Sequence, residues 1–180
     1  TVSLKDSIGK TNNKEMIRTI SDFMRKSSNN NFIHKNKVKV SVIGKWYDLP
    51  GVLVDDIRKA IDSTKDYDSF FFNVCINYDG QQEIVDACRI IAHNVVSGRL
   101  NMSNISKETI KDYLYLSYFL PPELIMVSGK NNNLGGFLLW DSAFSRIIFS
   151  EKDWPSLHIE QIDKTIKSHK DNIKRYKIKK

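Results

Sequence analysis

The sequence predicts an α/β fold, a mostly parallel central sheet flanked by helices, and three observations carry that prediction. Val38-Lys39-Val40-Ser41-Val42-Ile43 alternates apolar and polar residues as a half-buried strand does. Ser69 to Ile76 runs through Phe70, Phe71, Phe72, Val74, Cys75 and Ile76, the pattern of a strand buried on both faces in a parallel sheet. Helical stripes separate the strands, so strand and helix alternate along the chain. With 180 residues and 41% apolar content the chain can bury one continuous core, so residues 1–180 are expected to form one domain.

The elements follow in order. Val2 to Leu4 reads as a short strand, and Lys14 to Arg25 as a helix with Met16, Ile17, Ile20, Phe23 and Met24 at helical spacing. Ser27 to Asn31 reads as a polar loop, and the strand from Val38 stops at Gly44. Leu49-Pro50 opens a helix, because Pro suits a first turn, with Val52, Val54, Ile57 and Ile61 as its apolar stripe. Gln81 to Val96 is amphipathic and ends near Gly98, and Ser106 is a plausible N-cap for the next helix, which Pro121-Pro122 should block. Leu124 to Val127 and Arg146 to Phe149 are the last strands, with an Asn131-Asn132-Asn133 loop between them, and a terminal helix starts at about Ser156.

Charge and cysteine usage bound the chemistry. The net charge of +7 is concentrated in residues 164–180, a basic terminal helix and tail with Asp171 as its one acid. Such a tail suits anionic lipid headgroups, diphosphates or an acidic partner, and it is equally a common solvated helix end. No nucleic acid is expected, since no recognition motif accompanies the charge. Cys75 and Cys88 lack metal or redox spacing and are expected to be buried, reduced thiols. His34, His93, His158 and His169 are scattered, so no metal site is expected. No run approaches the ~18 apolar residues of a membrane span, and Thr1-Val2-Ser3-Leu4-Lys5 lacks signal-peptide order.

Four motifs share one precedent: Asn77-Tyr78-Asp79-Gly80-Gln81 followed by Glu83-Ile84, Ser128-Gly129, Phe137-Leu138-Leu139-Trp140, and Trp154-Pro155. In this order they resemble the cis-prenyltransferases, the undecaprenyl and dehydrodolichyl diphosphate synthases, which run "NYGGR-x-E-I", "IRTSGE-x-RLSNFLLWQ", "WP" and a terminal helix. The resemblance covers nearly the whole chain. It implies the undecaprenyl diphosphate synthase-like fold, and an activity in which isopentenyl diphosphate attacks an allylic diphosphate with Mg²⁺ and an aspartate on one diphosphate and arginines on the other.

The departures fall on those charged positions. The family's "MDGNGRW" aspartate has no counterpart in residues 1–180, so the chain is expected to be N-terminally truncated relative to the family. "FSTENWKRP" falls on Leu4 to Asn12, of which Lys10 survives, followed by Glu15. The arginine of "NYGGR" is Gln81, and "RTSGE-x-R" becomes Met126-Val127-Ser128-Gly129-Lys130-Asn131-Asn132, with no arginine between Arg99 and Arg146. The family's metal-binding glutamate falls on Arg146, where a cation repels Mg²⁺. Near the end, Lys174-Arg175-Tyr176-Lys177 resembles "RRFG" with Lys177 in place of the glycine; in two-subunit members an R-x-G element there reaches the partner's active site. Charge-assisted bonds contribute about 1.5–3 kcal/mol each, so two missing arginines should weaken diphosphate binding by roughly 10²- to 10⁴-fold.

The expectation is therefore a degenerate cis-prenyltransferase homologue, inactive alone, serving as the non-catalytic subunit of a heteromeric polyprenyl diphosphate synthase. The alternatives are an active synthase, or an isoprenoid-binding protein lined by Met16, Ile20, Phe23 and Met24, residues that any buried helix would also show. No catalytic residue and no bound cofactor are expected. Asn77, Gly80, Ser128, Gly129 and Lys130 are the expected remnants of diphosphate binding. Phe137, Leu138, Leu139 and Trp140 are expected at a subunit interface or in the core. The expected partner is a catalytic subunit or a second copy, with the basic tail at a membrane surface, and the expected location is cytoplasmic or peripheral to a membrane.

Overall fold

The computed structural model describes residues 1–4 and 14–178, so Lys5 to Asn13, including Lys10, lie outside the described residues, as do Lys179 and Lys180. The side chains of Val2 to Leu4, of Pro155 and from Lys174 onward lie outside them as well. The chain groups into two compact units, residues 1–118 and 119–180.

The first unit holds β1 (Val2–Leu4), α1 (Lys14–Ser28), α2 (Asn31–Lys35), β2 (Val38–Ile43), α3 (Gly51–Asp62), β3 (Phe70–Ile76), α4 (Gly80–Val96) and α5 (Lys107–Asp112). Its three strands are parallel in the order β1-β3-β2, so β3 is central, as the apolar run predicts. Val2 sits opposite Val74, and Val38 opposite Phe70. One core joins Ile20 and Met24 of α1, Leu53, Ile57 and Ala60 of α3, and Val42, Val74 and Ile76 of the sheet. Met24, Leu53 and Ile57 have no exposed surface, and each such side chain contributes about 1.5–3 kcal/mol by leaving water. A polar pin crosses this layer: the Ser21 hydroxyl donates to the buried Asp56 carboxylate, and Arg25 Nε lies 3.6 Å from the same oxygen.

Several elements depart from the sequence expectation for local reasons. The Ser27 to Asn31 loop shrinks to two residues, because the Ser27 and Ser28 hydroxyls bond back to Phe23 and Arg25 carbonyls and prolong α1. Asn30 then caps α2, its Oδ1 accepting from Phe32 N at 2.8 Å. In α3 the buried phase is Leu53, Val54, Ile57 and Ala60, which leaves Val52 73% exposed. In β3 only Asn73 to Ile76 are buried, while Phe70 and Phe71 are 61% and 50% exposed. The β1 ladder begins only at Val74, and an apolar run states a capacity for burial without supplying the cover.

Cys75 is buried as expected, with its thiol pushed up to about 12 by desolvation and then by Glu83. Cys88 is exposed, because the buried face of α4 runs through Gly80, Glu83, Ala87 and Ile91 and places Cys88 off it. A maleimide should therefore label Cys88 in the native protein and Cys75 only after denaturation, since the thiolate is the reactive species. Mass spectrometry with and without denaturant checks this, and two labels on the folded chain would contradict it.

Ser106 caps α5 in a capping box with Thr109, as its position predicts. The helix nevertheless ends at Asp112, well before Pro121. Leu114 and Leu116 turn inward, and the N–H of Tyr115 goes to Glu83 instead of to a helical carbonyl.

The second unit holds β4 (Leu124–Ser128), β5 (Arg146–Ser150) and α6 (Ile159–Ile178). β4 and β5 are parallel neighbours, Leu124 opposite Arg146 and Ser128 opposite Ser150. A short turn from Trp154 to Ser156 precedes α6, which starts at Ile159 instead of Ser156. Within the described part of α6, the exposed Lys164, Lys167 and Lys170 alternate with Glu160, Asp163 and Asp171. Of the basic segment expected over residues 164–180, the described part holds Lys164, Lys167 and Lys170 against Asp171, and the other basic residues are ones whose side chains lie outside the described ones. Among the described residues no helix is long and apolar enough to cross a membrane.

Candidate functional site

The carboxyl ends of β2 and β3 converge on two loops that bond to each other. Lys45 N donates to the Asn77 carbonyl at 3.1 Å, and Asn77 Nδ2 donates back to the Lys45 carbonyl at 3.0 Å. The exchange requires tight backbone. Gly44 has φ +107°, and Asn77 has φ +49°, a region asparagine tolerates better than most residues. Ligands in parallel α/β sheets commonly bind outside these strand ends. Here lies a cleft of about 440 Å³ lined by Lys45, Asn77, Asp79, Gln81, Gln82 and Tyr115, with Val85 beside them.

Helix α4 begins at the cleft, and Asp79 caps it. Its Oδ1 accepts from Gln81 N at 2.8 Å and Gln82 N at 3.0 Å, so a carboxylate already occupies donors that a phosphate would need. Gly80 is buried behind that cap and Asn77 is exposed. Gln81 brings no charge to the opening.

A carboxylate network forms the far wall. Tyr115 OH donates to Asp86 Oδ2 at 2.5 Å, Gln82 Nε2 to Oδ1 at 2.8 Å, and Arg89 Nη1 to Oδ1 at 3.1 Å. Lys45 Nζ stands 3.6 Å from Oδ2. The Tyr115 hydrogen bond, aided by Gln82 and Lys45, lowers the Asp86 pKa below the ordinary carboxylate value. Desolvation, then the Asp86 hydrogen bond, raises that of Tyr115. Neither group is placed to exchange a proton near neutral pH. Glu83 lies beneath, accepting from Tyr78 OH at 2.5 Å and from Tyr115 N at 2.9 Å.

The remaining predicted residues sit in the second unit. Ser128 closes β4, and Gly129 follows with φ +108°, its N–H shared between the carbonyls of Ser150 at 2.9 Å and Lys152 at 3.0 Å. Lys130 is exposed beyond them. A Cβ at Gly129 would meet Asp153 Oδ1 at 3.6 Å, so an acidic group borders this turn. Leu138 is buried at φ +46°, while Phe137, Leu139 and Trp140 are half-buried beside it. Arg146 Nη1 donates to the Ser168 carbonyl of α6 at 3.4 Å, and its own N–H to the Glu123 carbonyl at 3.0 Å.

Among the described residues no three His, Cys, Asp or Glu side chains gather as a metal would require.

Sequence reasoning missed Lys45, Asp86 and Tyr115, and used Asp79 only as a motif letter. Asp before an amphipathic helix is a cap signal, and a lysine just past a strand end is a ligand-site signal, so Asp79 and Lys45 were available to it. The Tyr115 to Asp86 bond spans 29 residues and leaves no local signature.

A parallel α/β scaffold with a polar cleft at its strand ends defines the general class of α/β ligand-binding folds, and similarity to known proteins narrows it. The chain belongs to the cis-prenyltransferase family: the family model described as undecaprenyl diphosphate synthase matches residues 9–177. It is similar to the geranylgeranyl-diphosphate-specific tritrans,polycis-undecaprenyl-diphosphate synthase of Methanopyrus kandleri, 34% identical over 167 residues that cover 91% of this chain and 62% of that one. The corresponding synthase of Picrophilus torridus is 32% identical over 148 residues, covering 82% of this chain and 58% of the relative. The chain thus spans about three-fifths of the length of these curated relatives. The fold matches the crystal structure of lavandulyl diphosphate synthase from Lavandula x intermedia in complex with dimethylallyl diphosphate, with TM-score 0.85, 24% identity, and coverage of 93% of this chain and 72% of that one.

Proposed function

We propose that this chain serves a polyprenyl diphosphate synthase as its non-catalytic subunit, keeping the family scaffold and stabilising a catalytic partner. The observation that carries the reading is the start of α4: Asp79 fills the helix donors at 2.8 and 3.0 Å, and Gln81 stands where the family has an arginine. Arg146 in place of the family's metal-binding glutamate, and Lys45 paired to Asp86, support it. Association would stabilise the partner by mass action. The basic residues after Lys170 would add attraction to an anionic membrane surface.

The test is incorporation of labelled isopentenyl diphosphate by the full-length protein, alone and with whatever prenyltransferase co-purifies with it. Alone, turnover should fall at least roughly 10²-fold below the assembled pair, the lower bound for two lost charge-assisted clamps. Comparable turnover by the isolated protein would establish the second reading, an active synthase, which the names of the relatives favour.

A further inference from the structure

We infer that Asp86 is the residue that decides what the strand-end cleft admits, by neutralising Lys45 and so closing the cleft to anions. The inference rests on the reading of the chain as lacking diphosphate grip, and it names the side chain responsible within the first unit. Lys45 is the cation among the residues lining the cleft, and its Nζ lies 3.6 Å from Asp86 Oδ2. The same carboxylate takes the Tyr115 hydroxyl at 2.5 Å and the Gln82 amide at 2.8 Å, so two further donors point into the wall instead of toward a guest.

Charge arithmetic gives the direction. Lys45 and Arg89 stand against Asp79 and Asp86 at the cleft and its rim, with the Glu83 carboxylate beneath. Asparagine at position 86 keeps an acceptor for Tyr115, removes one negative charge and leaves Lys45 without its carboxylate. A cation without a carboxylate beside it attracts anions more strongly than a paired one, and the more so at low ionic strength.

The probe is inorganic pyrophosphate, titrated by calorimetry at low ionic strength into the full-length protein. The wild type should bind weakly, and Asp86→Asn should bind at least about tenfold more tightly, with the gain shrinking as salt is added. Lys45→Met on that background should abolish the gain. Asp86→Ser is the second variant, for which the same outcomes hold should the first be poorly folded. Inert wild type with equally inert, folded Asp86 variants overturns this inference and leaves the functional reading standing. A gain that survives Lys45→Met overturns it too. Tight pyrophosphate binding by the wild type, or its turnover of isopentenyl diphosphate alone, overturns both.

Discussion

Gly44→Ala is expected to lower the melting temperature by roughly 6–12 °C, the shift that about 3 kcal/mol produces in a chain of this size. An added Cβ would stand 2.5 Å from the Ile76 carbonyl oxygen, 3.0 Å from that of Asn77 and 3.0 Å from Tyr78 Cα. All three are backbone, so no rotamer change relieves the contact. The φ of +107° adds strain of its own for any residue with a Cβ. Strained backbone and overpacking each cost about 1–3 kcal/mol, a large share of a total stability of about 5–15 kcal/mol. Gly98 supplies the control, since its φ is +71° but nothing lies within 4 Å of a built Cβ. Gly98→Ala should show the backbone part alone. Thermal unfolding of the two variants followed by circular dichroism decides the matter, and equal losses would mean that the close approach at Gly44 is not what demands glycine.

The crossing that Gly44 permits is also where legibility in the sequence stops. β2 and β3 were readable because their side-chain alternation and apolar run are local properties, and α4 because its stripe, like Asp79 at its start, is local. The parallel pairing of β1, β3 and β2 follows from the alternation of strands with helices. Coverage is not local: Phe70, Phe71, Val52 and Cys88 all read as buried, and their exposure depends on helix phase and on where the β1 ladder begins. The candidate site divides in the same way. Asn77, Gly80, Ser128, Gly129 and Lys130 come from motif order alone: Asn77 follows β3 and Gly80 opens α4, while Ser128 ends β4 with Gly129 and Lys130 after it. The charge pairing that gives the cleft its character joins Lys45, Asp86 and Tyr115 across 41 and 29 residues, and only the folded chain reveals it.

Glu83→Ala should cost about 2–5 kcal/mol, since each buried donor deprived of its acceptor costs about 1–3 kcal/mol. Glu83 is 2% exposed, and its two oxygens accept from Tyr78 OH at 2.5 Å and Tyr115 N at 2.9 Å. Truncation removes both acceptors at once. Tyr78 is only 6% exposed, so water cannot readily replace the lost acceptor for its hydroxyl. The segment carrying Leu114, Tyr115 and Leu116 also loses its attachment to α4, and Tyr115 is the donor that orients Asp86 in the cleft. Glu83→Gln should cost less, about 1–2 kcal/mol, because the amide oxygen still serves one donor while its NH₂ faces the other. Urea denaturation of Glu83→Gln, Tyr78→Phe and the pair closes a double-mutant cycle. Two groups sharing so short a bond should couple by at least about 1 kcal/mol, and an additive cycle would show that the carboxyl is held for its place in the core and not for the tyrosine it receives.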